Sequence, residues 1–165
     1  MISRSLTARL ETQLDALQTI LSGADAQLLT KRPPSGAWSA HEHLAHLARH
    51  HDVFLERLRR VASEDTPTLA RYRAEADAEW PSWSALPTAE VLSRLRDVRT
   101  RIIRWVADLQ PADASRAGVH PLFGAQSVSD MVEFFLLHEA HHLYVAMVRL
   151  GEASVTSRQS SVDSR

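Results

Sequence analysis

Three histidines crowd into the run His138-Glu139-Ala140-His141-His142, inside a strongly apolar stretch of the chain. His138 and His142 stand four residues apart, about one helical turn, so on a helix both imidazoles project from one face and can share a metal ion. Five more histidines lie between His41 and His51, and three of them, His43, His46 and His50, fall at i, i+3 and i+7 on one side of a helix. A third imidazole from this second group would complete a three-histidine set on facing helices. Three protein ligands leave one position open for water or substrate, the pattern of a catalytic metal site. The chain has no cysteine, which excludes disulfides, thiolate ligands and a cysteine nucleophile. Zinc or nickel suits imidazole ligands best, with iron or manganese less favoured. His41, in a first helical turn, is expected to be solvated, and His51 has a weaker claim than its neighbours.

The run from His138 to His142 also satisfies H-E-x-x-H, in which two histidines bind zinc and the glutamate acts as general base of a peptidase. The surroundings argue against it. The longer form of that signature needs glycine and histidine where this chain has Val145 and Val148, and Glu152 is nearly the only downstream carboxylate. Glu139 also lies about 100° from His138 around a helix.

These side chains need helices to position them, and the hydrophobic periodicity supplies four. The first is expected over Ser5–Ser22, with leucines at helical spacing and Gly23 as its stop. The second opens at Trp38-Ser39, where Ser39 and Glu42 make a capping box, and runs to about Ser63 on a stripe of Leu44, Leu47, Phe54, Leu58 and Val61. A Pro-rich connection over Glu64–Pro87 follows, with a short helix expected near Leu69–Ala78; so long a connection points to function or a crossover. The third helix, about Thr88–Leu109, is the cleanest, and Arg99 flanks its apolar stripe. The fourth, Val128–Leu150, starts at Ser127 and Asp130 and stops at Gly151.

No period-two strand pattern appears, so the expectation is an all-α four-helix bundle with a long connection between helices 2 and 3. Residues 1–151 form its single domain, and the Ser-rich segment 152–165 reads as a disordered tail. On the last helix, Met131, Phe134, Phe135 and Val145 share the face of His138 and His142. Leu136, Leu143, Met147 and Leu150 make a second stripe, suited to a homodimer contact.

Composition narrows the partners. At 165 residues, 44% hydrophobic and 24% charged, with net charge −1, the chain offers no bulk electrostatic attraction for nucleic acid or anionic membrane. The start of the chain has no continuous apolar signal region and no segment reaches the roughly 20 apolar residues of a span. A cytoplasmic location is the expectation.

Taken in order, Trp38-Ser-Ala-His-Glu-His-Leu-Ala-His46, Glu79-Trp-Pro81, His120-Pro-Leu-Phe-Gly124 and His138-Glu-Ala-His-His142 resemble the DinB/YfiT-like superfamily over nearly the whole chain. The resemblance implies a four-helix bundle, frequently dimeric, with a divalent metal bound by His46, His138 and His142. His43 and His50 add imidazoles beside His46, so either is an alternative third ligand. His50 is a candidate proton-transfer group, and His50 and Glu139 are the first candidates for general base. The resemblance further implies S-transfer with a low-molecular-weight thiol, such as bacillithiol, mycothiol or glutathione, as cosubstrate to a small-molecule substrate. A thiol bound to a metal loses its proton more easily. Trp38, Trp80, Trp83 and Phe123 are candidates to line the substrate cleft, and Arg99 to meet an anionic group on substrate or thiol. A non-catalytic metal-binding stress or detoxification protein is the alternative, with a metal-dependent hydrolase or peptidase using Glu139 as the lesser one.

Overall fold

Ser39 and Ser127 start the two histidine-bearing helices, each through a reciprocal cap. The Glu42 backbone N–H donates to Ser39 Oγ (3.2 Å) and the Ser39 N–H donates to the Glu42 carboxylate (2.9 Å). Asp130 and Ser127 repeat the exchange at 3.2 and 3.0 Å. Each pair satisfies backbone donors that the first helical turn leaves without partners.

The computed structural model describes the backbone of residues 2–163 and the side chains of residues 2–158. Helix α1 (Arg4–Thr12), a 3-10 turn (Gln13–Asp15), α2 (Ala16–Ile20) and α3 (Ala26–Thr30) precede the long α4 (Ala40–Ser63). A connection containing a 3-10 turn (Ala74–Ala76) and α5 (Trp80–Ser84) leads to α6 (Thr88–Ala107). Strands β1 (Ala117–His120) and β2 (Gly124–Ser127) then precede α7 (Val128–Asp163). The α1–α2 arm, α4, α6 and α7 make a four-helix bundle in which α4 packs against both α6 and α7.

Two apolar clusters fill the bundle. Leu10, Phe54, Leu58, Ile102 and Phe135 centre one, with Phe54 and Phe135 stacked at 4.1 Å; Leu17, Leu44, Leu95, Leu143 and Leu150 centre the other. Between them lies a polar layer built from the middle of α4 and α7. Its innermost member is Glu139, fully buried, which receives Gln13 Nε2 at 2.8 Å, pairs with Arg99, and lies 2.9 Å from His51 Nε2.

That layer explains a departure from the expected first helix. The predicted Ser5–Ser22 helix breaks at Gln13–Asp15, where Gln13 turns inward and also donates to the Leu136 carbonyl at 2.8 Å. Leucine spacing continues through the break and conceals it.

The expected four-helix bundle carries one addition, a short β-hairpin: β1 and β2 pair antiparallel with Ala117 opposite Ser127 and His120 opposite Gly124. Strands of four residues are too short to show alternation. Gly124 has φ of +69° at the turn, a conformation glycine reaches without strain. The helix expected over Leu69–Ala78 is reduced to the Ala74–Ala76 3-10 turn, and the short α-helix of the connection is α5.

The chain does not stop its last helix at Gly151, and residues 152–158 are not a disordered tail. They continue α7, with Ala153 buried and Lys31 Nζ 3.1 Å from Ser157 Oγ. Leu150 and Ala153 keep the helical spacing of buried positions despite the serines around them. Residues 164–165 lie outside the described residues. The stripe assigned to a second subunit is also redistributed. Leu136, Leu143 and Leu150 are buried within the chain, whereas Leu137, Tyr144 and Met147 are exposed. Among the described residues, no helix is long and apolar enough to cross a membrane.

Candidate metal centre

The periodicity of α4 and the i, i+4 spacing on α7 bring two rows of imidazoles face to face. His46 Nε2 lies 3.2 Å from His138 Nε2. His46, His138 and His142 each offer one ring nitrogen, all within 4.8 Å of one another. Two imidazole ligands of a tetrahedral zinc, with Zn–N near 2.0–2.1 Å, bring their nitrogens to about 3.3 Å apart. The observed approach of the two Nε2 atoms matches that spacing, so the donor set fits a divalent ion. The Nδ1 atoms of His46 and His138 are buried without a hydrogen-bond partner, so the Nε2 edges are where these rings meet polar company.

His43 is placed differently from the other three. Its Nδ1 lies 2.9 Å from His142 Nδ1, which lets it hold one ring nitrogen of His142 and leave Nε2 available. Metal-bound histidines are commonly oriented by such a contact at the second nitrogen. His50 stacks beside His138, with ring centroids 4.2 Å apart, and is buried with its Nδ1 lacking a partner. It lies behind the ligand set, next to a cavity of about 10 Å³ shared with Arg57, His120 and Gln126.

Burial lowers the basicity of the whole cluster. His46 is pushed down to about 3, and His43 and His138 to about 4, first by desolvation and then by neighbouring charges and rings. His142 and His50 are lowered for the same reasons. All are therefore neutral near pH 7, the form in which imidazole ligates metals.

A cleft of about 460 Å³ opens onto two of the three candidate ligands. Trp38, His46 and His142 form one side; Arg71, Tyr72, Arg73 and Glu75 form the other. Trp38 lies 5.2 Å from the His46 ring and stacks on Trp80 at 5.0 Å. Tyr72 packs on His46 and His50, with centroids 5.6 Å from each. A larger cleft of about 650 Å³ lies between residues 31–35 and the later part of α7 and contains no histidine. The candidate metal ligands belong to the smaller one.

The structure does not bring Glu139 or Arg99 to this cleft. Glu139, about a quarter turn around α7 from His138, points into the bundle, where Arg99, Gln13 and His51 surround its carboxylate. Arg99 is buried, joined to Glu139, and lies over the Phe135 ring at 5.0 Å. Desolvation drives its guanidinium pKa down to about 9. Neither residue is free to meet a substrate: an ion pair buried between helices needs each partner to compensate the other.

The remaining aromatic and histidine candidates have structural places. Trp83 is buried in the second apolar cluster with Arg94 over its ring, and Phe123 stacks on His120 at the hairpin. His41, expected in solvent, is buried, with Nδ1 2.9 Å from Thr88 Oγ1 and Nε2 3.0 Å from the Ser84 carbonyl. It ties the start of α4 to α5 and α6. His51 also contacts the Leu47 carbonyl through Nδ1 at 2.6 Å.

Sequence reasoning missed Arg71, Tyr72, Arg73 and Glu75. The available signal was Tyr72, the sole aromatic residue between Glu64 and Glu79, inside a connection too long to be idle.

A family model described as the DinB superfamily matches residues 9–146. Two proteins of Oceanobacillus iheyensis, both named "putative metal-dependent hydrolase", are similar in sequence. One is 29% identical over 66% of this chain and 63% of its own length, and the other 24% identical over 88% and 84%. The chain thus spans less than two thirds of the first relative. Among solved structures, the backbone resembles Bacillus subtilis YfiT, described as a probable metal-dependent hydrolase with an unusual four-helix bundle topology. The TM-score is 0.76 at 19% identity, covering 95% of this chain and 90% of that one. It also resembles TT2238, a four-helix bundle protein, with a TM-score of 0.62 at 26% identity over 86% and 94% of the chains.

Proposed function

The chain belongs to the DinB superfamily, and from that membership and its histidine geometry we propose that it is a metal-dependent enzyme that transfers a low-molecular-weight thiol to a small electrophilic substrate. The observation that carries the reading is the convergence of His46, His138 and His142 within 4.8 Å at the wall of a cleft of about 460 Å³. Three ligands fill three positions and leave the fourth to a molecule entering the cleft. A divalent ion there, zinc or nickel by ligand type, would supply Lewis acidity that lowers the pKa of whatever occupies that position.

The chain's own residues divide the remaining work. His46, His138 and His142 hold the ion, and His43 orients His142. Trp38 and Tyr72 wall the ligands on two sides and restrict water. The helix carboxylates nearest in sequence to these histidines are engaged elsewhere: Glu139 is turned into the core and Glu42 is paired with Arg32. A nucleophile that gives up its proton on coordination suits such a site, and the absence of cysteine requires the thiol to arrive as a cosubstrate.

A hydrolase is the second reading. Glu75 on the cleft wall is the carboxylate within the cleft that favours it, as do the names of the similar proteins. Assay of the metal-loaded protein with glutathione, bacillithiol and mycothiol against an electrophilic acceptor separates the two. Thiol-dependent turnover supports the transferase. Thiol-independent ester or amide cleavage that falls in Glu75→Gln supports the hydrolase, and metal binding with neither activity leaves a non-catalytic binder.

A further inference from the structure

The connection between α4 and α6 is pinned at two points, and what remains unpaired between them faces the cleft. Arg57 donates to the Ala70 carbonyl, and Arg49 grips Asp77 at 2.7 and 3.3 Å and reaches Glu79 at 3.4 Å. Both arginines come from α4, on either side of His50, so residues 70–77 are strapped across the histidine face. Arg71, Tyr72 and Arg73 all line the same cleft. Tyr72 turns inward onto His46 and His50, while Arg71 and Arg73 flank it, exposed.

The strap's acidic residues do not neutralise those two arginines. Asp77 and Glu79 are taken by Arg49, and neither Arg71 nor Arg73 forms an ion pair among the described residues. Glu75 is the one carboxylate in the cleft wall, so two positive charges face one negative charge beside neutral histidines. Guanidinium groups offer paired donors to carboxylate and phosphate oxygens.

We propose that Arg71 and Arg73 form an anion-recognition subsite at the mouth of the histidine cleft, selecting a substrate or cosubstrate that carries a carboxylate or phosphate. The placement deepens the enzyme reading and rests on it for the word substrate; the subsite itself is a property of the strap. It also gives the anion-binding role expected of Arg99 to residues that open on the cleft.

The test uses the full chain, metal-free and zinc-loaded, titrated at low salt with succinate, inorganic phosphate and the neutral isostere succinamide, and read by Trp38 and Trp80 fluorescence and calorimetry. Succinate or phosphate should bind roughly tenfold or more tightly than succinamide, and added salt should weaken that binding. The preferred anion identifies the carboxylate or phosphate source. Arg71→Gln/Arg73→Gln should lose that preference while zinc affinity and Tm stay as in the parent. Arg71→Lys/Arg73→Lys should recover part of it. Equal binding of succinate and phosphate by the parent and the glutamine variant, or no preference over succinamide, overturns the subsite. Arginine-dependent anion binding by a protein that takes up no zinc would sustain the subsite while the metal reading failed.

Discussion

At the scale of single residues, position around α7 separates groups that adjacency in sequence joins. His138 and Glu139 are neighbours in an H-E-x-x-H run, yet one joins the rings of His46 and His142 and the other lies fully buried against Arg99. Removing one member of such a buried pair strands a charge in the core, at about 3–5 kcal/mol. Arg99→Met is therefore expected to lower unfolding free energy by about that amount in urea titrations, with the zinc affinity of the folded protein little changed. Were Glu139 the general base, its replacement by Gln would instead abolish turnover at unchanged stability. The histidine pair on α7 and its partner on α4 were legible because a helical spacing fixes direction. The role of Glu139 was not, because a wheel gives angle without saying which neighbour fills it.

At the scale of elements, caps and close approaches fix where the site-bearing segments begin. Ser39→Ala removes one side of a reciprocal cap and should cost about 1 kcal/mol, read as a shift in the urea midpoint. Gly118 in β1 has a different reason to exist: a Cβ there would lie 2.8 Å from Val61 Cγ2 and 3.1 Å from Leu69 Cδ1. Val61 is β-branched and rotates poorly, so Gly118→Ala is expected to destabilise by about 1–3 kcal/mol in the same assay. An unchanged midpoint would mean that the hairpin does not press on α4. The starts of α4 and α7 were readable from Ser39, Glu42, Ser127 and Asp130. The hairpin was not, because its tie to the connection depends on long-range bonds: Leu69 N–H to the Val119 carbonyl at 2.8 Å and Val119 N–H to the Pro67 carbonyl at 2.9 Å. The break in the first helix escaped for a related reason, since what bends Gln13 inward is a carboxylate on α7.

At the scale of the whole molecule, a band of histidines divides one bundle core into two apolar parts, which couples stability to pH. In an unfolded chain these imidazoles titrate near about 6.5, whereas burial holds His43, His46 and His138 to about 4, 3 and 4. Depressed folded pKa values mean that the unfolded chain binds more protons below about pH 6.5. Stability is thus fully present above that pH and is lost as pH falls toward the folded values. The Tm of the metal-free protein should decline steadily on acidification from about pH 7 to about pH 5; a flat profile would show that the rings do not stay neutral in the folded state. The same band is where the account of function converges, and the most direct test is metal binding by calorimetry on demetallated protein. The parent chain should hold zinc or nickel at a single tight site, lost in His46→Ala, His138→Ala and His142→Ala and kept in His41→Ala. A parent chain that takes up neither metal, or alanine variants that bind as the parent does, would contradict it.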